Sequence, residues 1–402
     1  MKALLLSIGL TTVSLAAQEV AVSLADGTLA RGRLTKVEDP GGITLAGTAD
    51  TRVLPRAGVL GVHGPAPRLE GASVVVHRQD GGRWAGDLRG GDASGESLLV
   101  GSRSLGEVSE SVDRIRAILF RRQAGEISVE DLVLPEQTKN DEALFRRARR
   151  GVDRILGAIE RFTPTSVYFQ VEGEAEPREF PYSALVGIAI RGASAGSTPA
   201  GDLVITRAGD VVRCRVLGLD QDALRLSLGE DRTLRLPVAE LSSWTLLEPG
   251  RRFLSDLEAQ AVEEASYFEP AGRPLFPVQR DHTVTGGFLA SGGLAFGKGL
   301  GVHSRSRLRF VVPPGVRWFQ ALVGVDDEIL TAAPGLRGDV DVRVRLGDKV
   351  LRTQEGLRGG MPPVHLGNLA VRPGDVLALE VEFGKGLDLA DRVGWYQAVF
   401  LP

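Results

Sequence analysis

Short runs of alternating apolar and polar residues recur along the chain before residue 250. The clearest series begins at Leu203-Val204-Ile205-Thr206, passes a Gly-Asp turn at 208–210, and continues through 211–217, 223–228 and 233–237. A last short run follows at 241–244, after a Leu-Pro pair. Alternation with a period of two is typical of antiparallel strands that are buried on one face.

The same plan recurs and predicts four small β units. Its order is a strand, a glycine turn, two strands, a strand that ends in Leu-Pro, and a short last strand. We place them at 18–65, 70–122, 127–190 and 201–248. Each resembles a small SH3-like or Sm-like barrel of about five strands. Since a unit of this size buries little surface alone, we expect neighbouring units to pack together.

The third unit lacks a clear first hairpin, and a helix is predicted in its place. Apolar residues at Leu144, Ala148, Val152, Ile155 and Ile159 follow three- and four-residue spacing, and an aspartate at 141 offers a cap. Four arginines at 146, 147, 149 and 150 would give this helix a basic face, either solvated or bound to a membrane surface or partner.

Two composition changes mark further boundaries. The stretch 191–200 is rich in Gly, Ala and Ser and predicts a linker, and a Glu-Pro-Gly sequence at 248–250 ends the fourth unit. From 251 to 402, short apolar runs separated by Gly and Pro predict strands, including 308–312, 318–327, 340–346 and 376–383. Many short strands of this kind indicate a β-sandwich.

The first seventeen residues are typical of a signal peptide rather than of a folded element. Lys2 precedes an apolar run at 3–15, and small residues at 14–17 suit signal peptidase. The run is too short for a comfortable membrane span. We therefore expect an exported protein, periplasmic or extracellular, with no transmembrane segment.

Composition excludes several classes of function. The 48 basic and 51 acidic side chains give a net charge of -3, without the basic excess of a nucleic-acid-binding protein. A single cysteine, Cys214, excludes an internal disulfide, and five scattered histidines disfavour a zinc hydrolase. No stretch remains for a large catalytic domain with two facing carboxylates, so we expect no enzymatic activity.

One stretch carries a family resemblance. Lys298-Gly299-Leu300-Gly301-Val302-His303-Ser304, followed by Phe319-Gln320-Ala321-Leu322-Val323-Gly324-Val325-Asp326-Asp327, resembles the NPCBM family of carbohydrate-binding modules, first noticed beside glycosidases. The resemblance extends from Phe253 to Pro402. For this part of the chain it implies a galactose-binding-like jelly-roll β-sandwich. Together with the repeats before it, the predicted fold is all-β, with tandem small β-barrel-like units followed by this sandwich. The resemblance also implies a glycan ligand, of which a galactose-type glycan is one candidate.

Several residues near these motifs carry groups that recognise sugar hydroxyls or cover a pyranose ring. The candidates are Arg280, Asp281, His303, Arg305, Asp326, Asp327 and Trp395. Each also has a structural interpretation: the histidine satisfied at a sheet edge, the tryptophan in the core, and the aspartates capping a turn. Asp326 or Asp327 could instead ligate a structural calcium ion, the one cofactor we consider.

Near the C-terminal end of the module, NPCBM family members have a sequence similar to Asp-x-x-Asp-Trp-Ala-Asp. Here the stretch Asp391-Arg392-Val393-Gly394-Trp395-Tyr396-Gln397 keeps the first acid and the tryptophan. Gly394 and Gln397 replace the other two acids, which predicts a weakened or altered site if those acids serve ligand or metal binding.

Three hypotheses follow. The preferred one is an exported, non-catalytic protein that binds a glycan or cell-envelope polysaccharide on a β-repeat platform. The alternative is an envelope structural protein whose degenerate module contacts protein and whose small units mediate protein interaction. A polysaccharide hydrolase, or an accessory subunit of one, is the third.

Overall fold

The computed structural model describes residues 18–47, 50–125, 127–132, 134, 142–149, 151–191, 201–229, 232–267 and 274–402. Regular structure in these ranges is almost entirely β-strand, which confirms the predicted all-β class. The expected signal peptide at 1–17, and all but the first residue of the expected linker at 191–200, lie outside the described residues.

The first part of the chain forms four units of five strands each. Unit 1 contains β1 (Glu19–Leu24), β2 (Leu29–Glu38), β3 (Gly42–Ala46), β4 (Thr51–Pro55) and β5 (Val59–His63). Unit 2 contains β6 (Val74–Arg78), β7 (Arg83–Gly91), β8 (Ser97–Ser102), β9 (Gly106–Ser111) and β10 (Ile115–Phe120). Unit 3 contains β11 (Glu142–Arg147), β12 (Val152–Phe162), β13 (Ser166–Val171), β14 (Arg178–Pro181) and β15 (Leu185–Ile190). Unit 4 contains β16 (Asp202–Thr206), β17 (Val211–Asp220), β18 (Ala223–Gly229), β19 (Arg232–Pro237) and β20 (Leu241–Leu246).

All four units share one pairing scheme. The first strand pairs with the second and the fifth, and the second, third and fourth form a meander. A one-turn 3-10 helix joins the fourth strand to the fifth in every unit. Pro55, Pro181 and Pro237 immediately precede three of these turns. Proline suits this place because it cannot donate to a strand ladder and its φ is already fixed.

The fifth strands join the four units in two pairs. Strand β5 pairs with β20 and joins units 1 and 4, whereas β10 pairs with β15 and joins units 2 and 3. One apolar cluster extends through all four units and includes Val62, Ile118, Ile188 and Trp244. Shared strands and a shared core therefore supply the burial that a single small unit lacks.

The helix predicted across 141–159 is wrong. The described part of this stretch forms the antiparallel hairpin β11–β12, with Leu144 opposite Ile155. Gly151, at φ +88°, lies in the connecting turn, where glycine adopts a left-handed conformation without a steric cost. Leu144 is buried in the core shared with the other units. Pairing with other strands and burial in this core therefore decide the structure here, and the helix-like spacing of the apolar residues does not. This is the first hairpin of unit 3, which the sequence pattern did not reveal.

The C-terminal module is a β-sandwich. Its strands are β21 (Arg252–Phe253), β22 (Ala261–Glu264), β23 (Gln279–Arg280), β24 (Ala290–Ser291), β25 (Leu294–Ala295), β26 (Gly299–His303), β27 (Ser306–Val311), β28 (Trp318–Val325), β29 (Val340–Leu346), β30 (Lys349–Leu357), β31 (Val364–His365), β32 (Leu369–Ala370), β33 (Val376–Phe383) and β34 (Arg392–Leu401). The two α-helices of the described chain are one turn long: α1 (Arg121–Ala124) follows unit 2, and α2 (Ile329–Ala332) lies in the module. Neither approaches the length and hydropathy of a membrane-spanning helix.

Two sheets enclose the core of the module. One has the order β23-β26-β34-β28-β31, with β21 on β34 and β32 on β28, and the other has the order β22-β27-β33-β29-β30. Apolar side chains from both sheets, among them Phe319, Phe400, Leu308 and Leu379, form a single buried cluster. The central strands β34 and β28 are buried along almost their whole length.

The module is docked on units 1 and 4 rather than tethered to them. Ala295 donates its backbone N–H to the carbonyl of Gly64 at 2.9 Å, and its own carbonyl accepts from Nδ1 of His63 at 2.9 Å. The Phe296 ring lies between the rings of His63 and Tyr396, with both centroid distances at 4.5 Å. Burial lowers the pKa of His63 to about 4, so this histidine is neutral at pH 7.

Candidate functional site

Three central strands of the larger sheet bring polar residues to one end of the sandwich. His303, the last residue of β26, is opposite Arg392, the first residue of β34. Val325, the last residue of β28, is opposite Val393. The loops that continue from these strands therefore meet, because antiparallel neighbours place one strand's end beside the next strand's beginning.

At this end, five side chains form what we call the Arg392 face: Phe276, Thr285, His303, Glu328 and Arg392. Arg392 Nη1 donates to Glu328 Oε1 at 2.8 Å, and its guanidinium lies 5.2 Å from the centroid of the Phe276 ring. That ring stacks on the imidazole of His303 at 4.9 Å. The other oxygen of Glu328 accepts from the hydroxyl of Thr285 at 2.5 Å. The face thus joins fixed donors, acceptors and an aromatic ring.

The side chains of Arg392 and Glu328 are 19% and 21% exposed, so their groups are held in place but still reach solvent. Burial lowers the pKa of His303, which keeps its imidazole neutral near pH 7. Its Nδ1 lies 2.6 Å from the Ser304 carbonyl, and because a carbonyl only accepts, Nδ1 carries the proton. Nε2 is then an acceptor, suited to a hydroxyl group.

Two predicted arginines do not join this face. Arg280 lies on the edge strand β23 opposite Leu300, and its exposed guanidinium pairs with Glu258 at 3.3 Å. Arg305 lies two residues after His303 but turns toward the smaller sheet, where it pairs with Glu382 at 3.2 Å. Both are exposed surface ion pairs, which contribute little to stability.

Asp326 and Asp327 hold the hairpin β24–β25 in place. Asp326 is buried and accepts from the N–H of Ala290 at 3.1 Å and of Glu328 at 3.0 Å. Burial raises the pKa of Asp326 to about 8. The two oxygens of Asp327 accept from Gly292 at 3.0 Å and Gly293 at 2.7 Å. The two carboxylates thus form separate sets of contacts, as expected of adjacent residues at a strand end.

The calcium ligation predicted for Asp326 or Asp327 stays a prediction. Backbone N–H donors occupy the carboxylate oxygens that would ligate the ion, and calcium needs six to eight oxygen ligands. Over the described ranges, no three His, Cys, Asp or Glu side chains are grouped as metal ligands.

Trp395 does not present its ring to a ligand. It is fully buried in the core between the two sheets, on the central strand β34. The structure therefore contradicts its predicted role as a stacking platform and agrees with the alternative interpretation as core. Asp391 is also buried and accepts from the Ser304 hydroxyl at 2.6 Å and the Asp339 N–H at 2.9 Å.

Asp281 belongs to a structural ion pair. Lys298, only 2% exposed, places Nζ 2.6 Å from Asp281 and 2.5 Å from Asp256. The glycines in the stretch around Lys298 permit close backbone packing. A Cβ at Gly301 would lie 2.3 Å from the carbonyl oxygen of His282, which is far inside van der Waals contact.

Sequence reasoning missed Phe276, Thr285, Glu328 and Arg392. Glu328 directly follows the acidic pair, and Arg392 lies inside the altered C-terminal stretch, so proximity to the motifs could have indicated both. Phe276 and Thr285 lie in loops without a recognisable motif. Their contribution depends on how those loops fold over the sheet.

Residues 250–401 match the NPCBM/NEW2 domain family. Among solved structures, the chain is similar to the CBM51 module from Clostridium perfringens GH95 in complex with methyl-galactose, at 21% identity over 37% of this chain and 99% of that one, with a TM-score of 0.31. It is also similar to CBM51-2 with INT domains from C. perfringens ZmpB in complex with GlcNAc, at 20% identity over 44% of this chain and a TM-score of 0.32.

A further similar structure holds the tandem CBM51 modules of Sp3GH98, the family 98 glycoside hydrolase from Streptococcus pneumoniae SP3-BS71, at 13% identity over 95% of this chain and 88% of that one, with a TM-score of 0.32. The chain spans only 36% of the ZmpB structure. No curated protein matches the chain significantly.

Proposed function

We propose that the C-terminal module, which matches the NPCBM/NEW2 domain over residues 250–401, binds carbohydrate at the Arg392 face, and that the protein is exported and non-catalytic. The family match supports a carbohydrate ligand. The observation that carries the location is the contact of Arg392 with both Glu328 and Phe276.

Sugar recognition needs hydrogen-bonding groups that are already oriented and an apolar surface for the C–H face of the ring. Arg392 and Glu328 fix each other, so little side-chain freedom is lost on binding. Arg392 offers donors, whereas Glu328 and Nε2 of His303 offer acceptors. Phe276, half-buried beside them, supplies the apolar surface. A hexose such as galactose, or a cell-envelope polysaccharide, presents matching hydroxyls.

The other parts of the proposal rest on separate observations. The charged start and apolar run at 1–17 support export. The single-turn connections and continuous sheets of units 1–4 support a platform that presents the module and contacts protein partners. Support for a non-catalytic role comes from the Arg392 face, where Arg392, Thr283 and Thr285 all donate to the carboxylate of Glu328.

The experiment is a glycan array with the full chain, followed by calorimetry on each glycan that binds, with calcium and with a chelator. We expect Arg392→Ala to weaken binding at least tenfold, because an ionic donor is lost. Phe276→Ala should weaken it as well, by removing the ring. The matched control is Arg235→Ala, an exposed arginine of unit 4 that pairs with Asp220.

Absence of binding to every glycan, with or without calcium, would end the carbohydrate proposal. Unchanged glycan affinity in both Arg392→Ala and Phe276→Ala would show that the binding site lies outside the Arg392 face. If binding is absent and the chain self-associates in sedimentation velocity, the envelope assembly role becomes the better explanation. Hydrolysis of an array glycan would contradict the non-catalytic assignment.

A further inference from the structure

A cavity of about 830 Å³ opens between units 2 and 3, on a part of the chain separate from the module. Its walls come from the strands of unit 2, from α1 and from the turn before β15. The β10–β15 pairing joins the two units beside it. Its volume falls within the range of pockets that hold small ligands.

Aromatic and apolar side chains form one side of this cavity. The rings of Phe120 and Tyr182 stack with centroids 5.0 Å apart, and the Tyr182 hydroxyl donates to the Thr163 carbonyl at 2.7 Å. Because that hydrogen bond and the stacking hold Tyr182 from two sides, its ring is a fixed wall. Pro164 continues the wall, giving a flat C–H surface suited to a pyranose ring.

The lining of the cavity also carries an excess of positive charge. Arg89, Arg121 and Arg122 line the cavity together with one carboxylate, Asp87. Arg89 lies 4.0 Å from Asp87, in an exposed pair. Arg121 donates to the backbone carbonyls of Leu69 and Ala72, which orient its guanidinium but do not neutralise it.

Arg122 is exposed, and no ion pair with it is found among the described residues. Three guanidinium groups therefore face one carboxylate. Arginine is the side chain best shaped to receive a carboxylate, since its planar fork donates two parallel hydrogen bonds.

We infer that this cavity is a second ligand site, and that it takes an oligosaccharide bearing carboxylates, such as a uronate oligomer. A pyranose ring lies against Tyr182 and Pro164, and its carboxylate is received by Arg122 and Arg89. The inference does not rest on the Arg392 face, because no residue is shared between the two sites.

Calorimetry with the full chain tests the site, with trigalacturonate as the probe and its neutral methyl ester as the matched ligand. We expect trigalacturonate to bind at low salt, the affinity to fall as salt rises, and the ester to bind at least tenfold more weakly. Arg122→Gln should weaken trigalacturonate binding about tenfold, and Tyr182→Ala should weaken it through loss of the wall. The control is again an exposed arginine, as Arg235→Gln.

A melting curve for each variant separates loss of the site from loss of the fold, and Arg122 is exposed, so its variant is expected to melt as the parent does. Failure of trigalacturonate to bind, equal binding of the ester, or unchanged affinity in Arg122→Gln would overturn the inference. Equally strong competition by inorganic phosphate would show an anion site without saccharide preference and would also overturn it. Arg392→Ala should leave trigalacturonate binding intact, which keeps failure of this site distinct from failure of the module.

Discussion

Ser23 of unit 1 donates a hydrogen bond of 2.5 Å to the side-chain oxygen of Gln397 in the C-terminal module. The two residues are 374 positions apart, and both are fully buried at the interface. His63 lies 2.9 Å from the same hydroxyl. Gln397 stands where the family pattern has an acid, and here its neutral amide serves the docking of the module on unit 1.

Gln397→Glu is therefore expected to destabilise the protein at neutral pH by about 3 kcal/mol or more, since it buries a carboxylate beside a neutral histidine. Chemical denaturation at pH 7 measures the change. The loss should shrink on acidification, as the new carboxylate is protonated. Gln354→Glu, on the edge strand β30, is the control and should alter the free energy of unfolding by less than about 0.5 kcal/mol. A Gln397→Glu protein as stable as the parent would show that the interface is open to water.

Asp326→Asn tests the raised pKa of this buried carboxyl. The folded-state pKa of Asp326 is about 8 and the ordinary value is 3.8, so the folded protein binds the extra proton between these values. The stability that the raised pKa of Asp326 contributes is fully present below pH 3.8 and is lost as the pH rises toward 8. We expect the parent to lose about 2 kcal/mol relative to Asp326→Asn between pH 6 and pH 8.

Denaturation of both proteins at each pH measures this difference. The effect of His63 on the free energy of unfolding is the same in both proteins and cancels, although its lowered pKa of about 4 makes stability rise with pH rather than fall. Below its ordinary pKa of 6.5, the neutral buried histidine costs stability as pH falls toward 4. A parent and variant with parallel pH profiles would mean that Asp326 is ionised throughout.

Trp395→Phe distinguishes a core residue from a sugar-binding one. Because the ring lies wholly between the sheets, the change leaves a cavity and should cost about 1–3 kcal/mol of stability. Affinity for any glycan that binds should stay within twofold, measured well below the melting temperature. Trp318→Phe, at a residue 41% exposed, is the control for stability. A large loss of affinity with normal stability would return Trp395 to the site.

Asp210→Ala tests the contact between units 2 and 4. The carboxylate of Asp210 accepts from the Ala85 N–H at 2.9 Å and from the hydroxyls of Ser102 and Thr206, each at 2.7 Å. Its removal leaves three buried donors unpaired, so we expect a loss of at least about 2 kcal/mol. The exposed turn of unit 1 provides the control, Asp26→Ala, which removes two exposed hydrogen bonds from Thr28 and should cost less than about 1 kcal/mol. Equal costs would mean that Asp210 acts only within its own turn.

Local pattern predicted much of this fold. The alternation around Val211 and Leu224, the glycine turns and the Leu-Pro pairs indicated the strands of unit 4, because a period of two and a fixed φ act within a few residues. The same reasoning failed across 141–159, where apolar residues at helical spacing belong to a hairpin. The spacing of apolar residues alone does not show whether a segment pairs with a strand elsewhere in the chain.

The sequence by itself determined an all-β chain of small repeated units with a carbohydrate-binding-type module at its C-terminal end. Only the tertiary structure decided that β5 pairs with β20 and β10 with β15, that Trp395 is core, and that Phe276, Glu328 and Arg392 meet. Strand formation is encoded locally by side-chain alternation, whereas these contacts join residues far apart in the chain. Which residues meet depends on which surfaces are buried against each other in the folded protein, and a local sequence pattern does not contain that information.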